Sequence, residues 1–137
     1  MADKASINCH SSFLPDYKGG SVFKHVWSNH EKEAGATIHL LNKEFDRGRI
    51  ISQSKLKIFK RDTPYTILYR LSEMTSVLLR ESLLKIVLGF HGVSQSGGRY
   101  FYKKTNNYHI SHYLINWFRF FIGLKPKLSP HKGEKID

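Results

Sequence analysis

Asn8-Cys9-His10-Ser11-Ser12-Phe13-Leu14-Pro15-Asp16-Tyr17-Lys18-Gly19 is the stretch on which the reading of this chain turns. A polar Asn-x-His pair stands where a short apolar run, Ala5 to Asn8, tails off as the end of a strand, and a Pro/Gly turn over Phe13 to Gly20 follows at once. In an extended strand, residues i and i+2 face one side. Asn8 and His10 can therefore point together into one cleft while Cys9 faces away, which makes Cys9 a packing residue rather than a nucleophile. A lone carboxylate, Asp46, comes much later, in a turn beside Gly48.

Outward from that stretch, Ser21 to Asn29 carries Val22, Phe23, Val26 and Trp27, the spacing of a short helix with one apolar side. Glu31 to Gly35 reads as a charged connection and Ala36 to Leu41 as a largely buried strand. Asn42 to Gly48 is a loop, and Ile50 to Phe59 is one or two strands. Asp62-Thr63-Pro64 opens a helix, since Thr63 can cap and Pro64 suits the first helical position. Its apolar repeat runs through Ile67, Leu71, Met74 and Leu78 to Leu88, with Gly89 as the stop. A Gly/Ser loop (Gly92 to Gly98), a strand-like Arg99 to Tyr102 and an aromatic helix over Ile110 to Phe121 follow. Leu124 to Asp137 is a Lys-rich tail. The order strand, helix, strand, strand, helix, strand, helix is an α/β pattern, and the chemistry-bearing residues fall at strand ends, where open α/β sheets place ligands.

The 137 residues suffice for one domain with a core. No apolar stretch reaches the roughly 18 residues that span a bilayer, the first residues lack a signal-peptide layout, and a single cysteine precludes an internal disulfide; the expectation is a cytoplasmic protein. The net charge of +11 favours anionic partners. The charges are scattered rather than striped along one helix, however, and no nucleic-acid-binding motif is visible, which argues against direct nucleic-acid recognition.

Formyl or acyl transfer to an amine needs a donor for the developing oxyanion, a base for the amine proton and something to hold the two in register. Asn8 supplies a pH-insensitive amide donor, His10 a tunable imidazole, and Asp46 a carboxylate able to stabilise imidazolium and to take part in proton removal. On residue chemistry alone, His10 also reads as an ordinary loop histidine and Asp46 as a turn former. His39, in an apolar strand, reads as a hydrogen-bonded core histidine. His109 and His112 have metal-compatible spacing but no third ligand, so no metal site is expected. Tyr113, Trp117, Phe118, Phe120 and Phe121 read as core or interface.

Four blocks in order resemble the formyltransferase superfamily. Ile7 to Gly19 resembles its Asn-x-His-x-Ser-Leu-Leu-Pro-x-Tyr-Arg/Lys-Gly signature, and Glu33-Ala34-Gly35-Ala36-Thr37-Ile38-His39 its Glu-Thr-Gly-x-Thr-Ile-His strand. Phe45-Asp46-x-Gly48-x-Ile50-Ile51-x-Gln53 resembles its Asp-x-Gly-x-Ile-Ile-x-Gln block, and Asp62-Thr63 the Asp-Thr before the next helix. The resemblance covers about residues 6 to 90. Phe13 stands for the first Leu, Ser11 stands where Pro or Gly is frequent, and Arg47 and Arg49 flank Gly48 where small or neutral residues are common. The family includes glycinamide ribonucleotide, methionyl-tRNA and sugar-amine formyltransferases, all using 10-formyltetrahydrofolate.

The resemblance implies that Asn8 and His10 bind and polarise the formyl oxygen and that Asp46 orients His10 and assists proton transfer. It also implies that the loop Asn42, Lys43, Glu44, Phe45 and Asp46 lines the pterin pocket, and that Ser12 with the Leu14-Pro15 turn shapes the catalytic loop. It further implies a formyltransferase-like open sheet with flanking helices lacking the N-terminal Rossmann-type half. Residues 1–124 would be a partial catalytic domain and 125–137 a basic tail. The expected substrate is a primary amine of a small molecule, of amino sugar nucleotide or glycinamide ribonucleotide type. Expected partners are a missing N-terminal half or a second copy, because a truncated sheet exposes an apolar edge. The rival expectations are a non-catalytic folate-pocket binding or interaction module and a basic RNA-binding protein.

Overall fold

A computed structural model describes residues 5–101 together with Leu114, Phe118, Glu134 and Lys135. Strand β1 (Ile7–His10) leads through a loop and the two-residue β2 (Lys18–Gly19) into helix α1 (Val22–Ser28). Strands β3 (Glu33–Leu40) and β4 (Ile50–Lys57), helix α2 (Pro64–Val87), β5 (Tyr100–Phe101) and β6 (Glu134–Lys135) follow. The main sheet has the order β1-β3-β4-β6, and β2 pairs with β5 in a second, two-stranded sheet. The β1–β3 and β3–β4 pairings are antiparallel, while β2 and β5 run parallel.

The register divides the sheet into two faces. Asn8 opposes His39, His10 opposes Thr37, and Thr37 opposes Gln53, so these side chains share one face. The alternate residues Ala34, Ala36, Ile38 and Leu56 form the other face and pack in one buried cluster with Ile67, Leu71 and Leu78 of α2. Burying an aliphatic side chain of this kind contributes roughly 1.5–3 kcal/mol, so α2 seals one face with apolar contacts and leaves the polar face for the site.

α2 begins as the sequence indicates. Thr63 Oγ1 accepts from Thr66 N (3.2 Å) and Thr66 Oγ1 accepts from Thr63 N (2.9 Å), a reciprocal cap with Pro64 at the first helical position. Arg70 and Asp62 form a buried ion pair at 2.5 Å, and Arg70 Nη2 donates to Lys57 O at 2.7 Å. The pair therefore ties α2 to the end of β4. Trp27 Nε1 donates to Asp62 O at 2.9 Å and brings α1 to the same corner.

Several boundaries differ from the sequence expectation. β1 runs on to His10 rather than ending at Asn8, because pairing to Thr37 and Ile38 of β3 supplies ladder partners that a local apolar count cannot see. The expected charged connection Glu31 to Gly35 is cut short by β3, which starts at Glu33, where Ala34 and Gly35 are buried and Glu33 pairs with Lys57. The expected one or two strands over Ile50 to Phe59 are a single strand, β4, which ends at Lys57. Cys9 faces away from Asn8 and His10 but is exposed rather than packed, since β1 is an edge strand among the described residues. The expected aromatic helix over Ile110 to Phe121 (Leu114 and Phe118 excepted), His109, His112 and the tail (Glu134 and Lys135 excepted) lie outside the described residues.

Candidate active site

Four polar side chains meet at the His10 end of the polar face. His10 is 7% exposed and His39 1%. His10 Nδ1 lies 3.5 Å and His39 Nε2 3.7 Å from the same Asp46 carboxylate oxygen, Oδ1. Asn8 Nδ2 lies 3.2 Å from His39 Nε2. The other Asp46 oxygen accepts from Gly19 N at 2.8 Å. Asn8, His10 and Asp46 are thus brought together, and His39 joins them.

The protons follow from the partners. His10 Nε2 sits 2.9 Å from Tyr17 O, a carbonyl that can only accept, so Nε2 carries the hydrogen and Nδ1 faces Asp46. His39 Nδ1 lies 2.9 Å from Leu40 O by the same logic, which leaves Nε2 of the neutral ring to accept from the Asn8 amide. One Asn8 proton is then spent on His39 and the second can serve a ligand oxygen. The 3.5 Å between His10 Nδ1 and Asp46 exceeds the roughly 2.7–2.9 Å of a charge-assisted N–H···O bond, so Nδ1 is not committed to Asp46. Burial pushes the His10 ring below its ordinary pKa, the Tyr17 bond and the Asp46 carboxylate pull it back up, and His39 adds to the lowering.

The loop from Ser12 to Tyr17 is held onto the polar face by saturated hydrogen bonding. Thr37 Oγ1 donates to Ser12 O (2.7 Å) and accepts from Leu14 N (3.1 Å) and Gln53 Nε2 (3.0 Å), which uses its full capacity. Gln53 Nε2 also donates to Leu14 O at 2.7 Å. Ser12 Oγ donates to Asp16 O (3.0 Å) and Tyr17 O (2.9 Å), so the carbonyl that orients His10 is itself fixed. Asp46 lies in the left-handed region (φ 53°), a conformation that Asp tolerates in turns. Two positions on, Gly48 passes so close to β3 that an added Cβ would stand 1.5 Å from Leu40 O. The turn that presents Asp46 therefore needs glycine there.

Asn42, Lys43, Glu44 and Phe45 form an exposed loop in which Glu44 N donates to Asn42 Oδ1 (3.1 Å) and Glu44 pairs with Arg47 (3.1 Å). Phe45 is 82% exposed. The loop stands beside Asp46, and its Glu44 carboxylate is paired with Arg47. Thr37 and Gln53 were visible in the sequence only as parts of motifs, and His39 as a hydrogen-bonded core histidine. Their alternation with buried Ala36 and Ile38 is the signal that they line the face of Asn8 and His10. Gln95, which bonds the Asp46 turn, had no local signal at all.

A family model described as formyl transferase matches residues 1–83. The chain belongs to the formyl transferase family. It is 32% identical over 104 residues to GDP-perosamine N-formyltransferase of Brucella melitensis, a match covering 76% of this chain and 40% of that protein. It is 40% identical over 88 residues to methionyl-tRNA formyltransferase of Limosilactobacillus fermentum, covering 64% and 28% respectively. Among solved structures, an N-formyltransferase from Helicobacter canadensis in complex with folinic acid and dTDP-3-aminofucose aligns with a TM-score of 0.70 at 27% identity, over 74% of this chain and 39% of that one. The formyltransferase PseJ from Anoxybacillus kamchatkensis, in complex with UDP-4,6-dideoxy-4-formamido-L-AltNAc and tetrahydrofolate, aligns with a TM-score of 0.65 at 30% identity, over 74% and 59%. The chain thus spans well under two thirds of the length of these relatives. No helix among the described residues is long and apolar enough to cross a membrane.

Proposed function

We propose that this chain carries the formyl-transfer site of a folate-dependent N-formyltransferase. The donor is 10-formyltetrahydrofolate, whose N10 supplies the formyl group, and the acceptor is a primary amine of a small molecule, of amino sugar nucleotide or glycinamide ribonucleotide type. The observation that carries the reading is the convergence of His10 and His39 on the Asp46 carboxylate, with Asn8 bonded to His39, at one end of a polar sheet face. Asn8 donates its second amide proton to the formyl oxygen as negative charge develops there. His10 Nδ1, uncommitted at 3.5 Å from Asp46, supplies a second donor when protonated. Asp46 stabilises that imidazolium and takes up the amine proton as the new C–N bond forms, and that proton is passed to N10 as the N10–formyl bond breaks and tetrahydrofolate leaves. His39 acts through Asn8 by fixing which way its amide faces. The loop Asn42 to Asp46 borders the pterin, with Phe45 free to cover it.

Sugar nucleotides fit the ligands named for the structural neighbours, and the excess of Lys and Arg suits an anionic acceptor. β1 has no strand on its outer edge among the described residues, and the relatives are much longer than the matched region. The complete cleft accordingly includes a further polypeptide segment, in the same protein or a partner, seated along β1. A transfer assay with formyl-labelled 10-formyltetrahydrofolate and a panel of amino sugar nucleotides and glycinamide ribonucleotide tests the reading. Labelled product that Asp46→Asn abolishes supports it. Folate binding with no product from any amine favours a non-catalytic pocket module, and steeply salt-dependent RNA binding without folate binding overturns it.

A further inference from the structure

The segment Gly92–Phe101 lies beyond the residues that the family model matches, yet it touches both halves of the site. Gln95 Nε2 donates to Asp46 O (3.0 Å) and to Gly48 O (2.7 Å), one proton for each carbonyl flanking Arg47. The reverse amide orientation would set an oxygen against two carbonyl oxygens, so the chemistry fixes the assignment. Gln95 Oε1 is buried with no hydrogen-bond partner among the described residues. An orphaned buried acceptor costs free energy, so the residue's fit to this place lies in its two donors. Just before Gln95 the segment is anchored to the start of β4. Ile50 and Val93 exchange backbone hydrogen bonds of 2.8 Å each, and Arg49 Nε donates to Gly92 O at 2.9 Å.

The same segment grips the catalytic loop. Lys18, 2% exposed, donates from Nζ to Gly97 O at 2.7 Å. Lys18 N donates to Arg99 O (2.9 Å) and Gly20 N to Phe101 O (3.1 Å). Gly98 passes so close to the loop that a Cβ would stand 1.7 Å from Pro15 O. Tyr17, whose carbonyl orients His10, stacks on Phe101 with ring centroids 4.7 Å apart. His10 belongs to the loop side and Asp46 to the turn side, and one continuous strap spans both.

We propose that Gln95 is a positioning residue for the formyl-transfer site, holding the Asp46 turn at its distance from His10 through the Gly92–Phe101 strap. This rests on the reading of Asn8, His10 and Asp46 given above. The charged and titratable groups facing His10 are Asp46 and His39, and Asp46 shares the surroundings of Lys18 with Arg47, Glu44 and Asp16.

The test is the ring titration of His10, followed by NMR in the full chain labelled at histidine, in the unsubstituted protein, Asp46→Asn, Gln95→Met and Gln95→Leu. It needs no turnover. Asp46→Asn should lower the His10 pKa. Both Gln95 variants should lower it by at least half as much, with a dispersed amide spectrum showing the fold retained. Met and Leu each remove both donors without adding a charge that would itself move the His10 titration, so one reports if the other does not fold. An unchanged His10 titration in the folded Gln95 variants, with Asp46→Asn lowered, overturns the strap and leaves the site reading standing. No change in Asp46→Asn overturns the pairing and the strap with it.

Discussion

Asp46 is the residue on which most of the site's geometry converges. Two histidines approach one of its oxygens and a backbone N–H occupies the other. Replacing it with Asn keeps the shape and removes the charge, so formyl transfer should fall by about 10²–10⁴-fold, the usual worth of a positioned proton-transfer group, in a kcat/KM comparison with the fold checked by circular dichroism. The histidines carry a second consequence. Burial lowers the pKa of His10 and of His25, so near and below the ordinary value of about 6.5 the unfolded chain binds more protons than the folded one. Stability is then full above that pH and falls as pH drops through the lowered folded values. Urea midpoints taken between pH 7.5 and 5 should decline, and His25→Asn should flatten the decline. At this scale Asn8, His10 and Asp46 stood out through the resemblance of their motifs to the family's, while residue type alone left His10 readable as a loop histidine and Asp46 as a turn former. His39 was legible as a hydrogen-bonded buried histidine, but not as the partner of Asn8, because that pairing depends on the β1–β3 register.

At the scale of elements, β3 carries the frame and α2 the counterweight. Thr37 saturates its hydroxyl on Ser12, Leu14 and Gln53. Thr37→Val keeps the volume and removes all three bonds, which should cost about 1–3 kcal/mol in denaturant unfolding and should raise hydrogen exchange over Ser12 to Tyr17. Arg70→Met leaves Asp62 buried without its cation and should cost about 3–5 kcal/mol. The start of α2 was legible because capping chemistry is local: Thr63, Pro64 and Thr66 are neighbours in sequence. The start of β3 was not. Glu33 and Gly35 look like a connection, and only cross-strand partners at Lys55 and Lys57 make them a strand.

For the whole molecule, the two sheet faces have different fates. The apolar face is closed by α2, while β1's outer edge has no strand among the described residues. Val77, Leu84, Val87 and Leu88 of the last turns of α2 and its end are more than half exposed. Edges and patches of this kind invite pairing. Sedimentation velocity should show concentration-dependent association of the isolated chain, and a sharp monomer boundary at all concentrations would count against it. The strap from Gly92 to Phe101 was legible only as a loop and a strand-like run, since its contacts to Asp46, Gly48 and Lys18 span 47 to 79 positions of sequence where they are formed by side chains of Gln95 and Lys18 with remote carbonyls. In the proposed site, this polar face binds a formylated folate through Asn8 and His10. This binding is tested most directly by calorimetric titration of the full chain with 5-formyltetrahydrofolate, a formyl-bearing analogue of the donor. Saturable binding is expected, weakened at least about tenfold in Asn8→Ala and His10→Ala, the loss of roughly one charge-assisted or buried hydrogen bond. Affinity unchanged in both variants, or a flat titration of the unsubstituted chain, would contradict it.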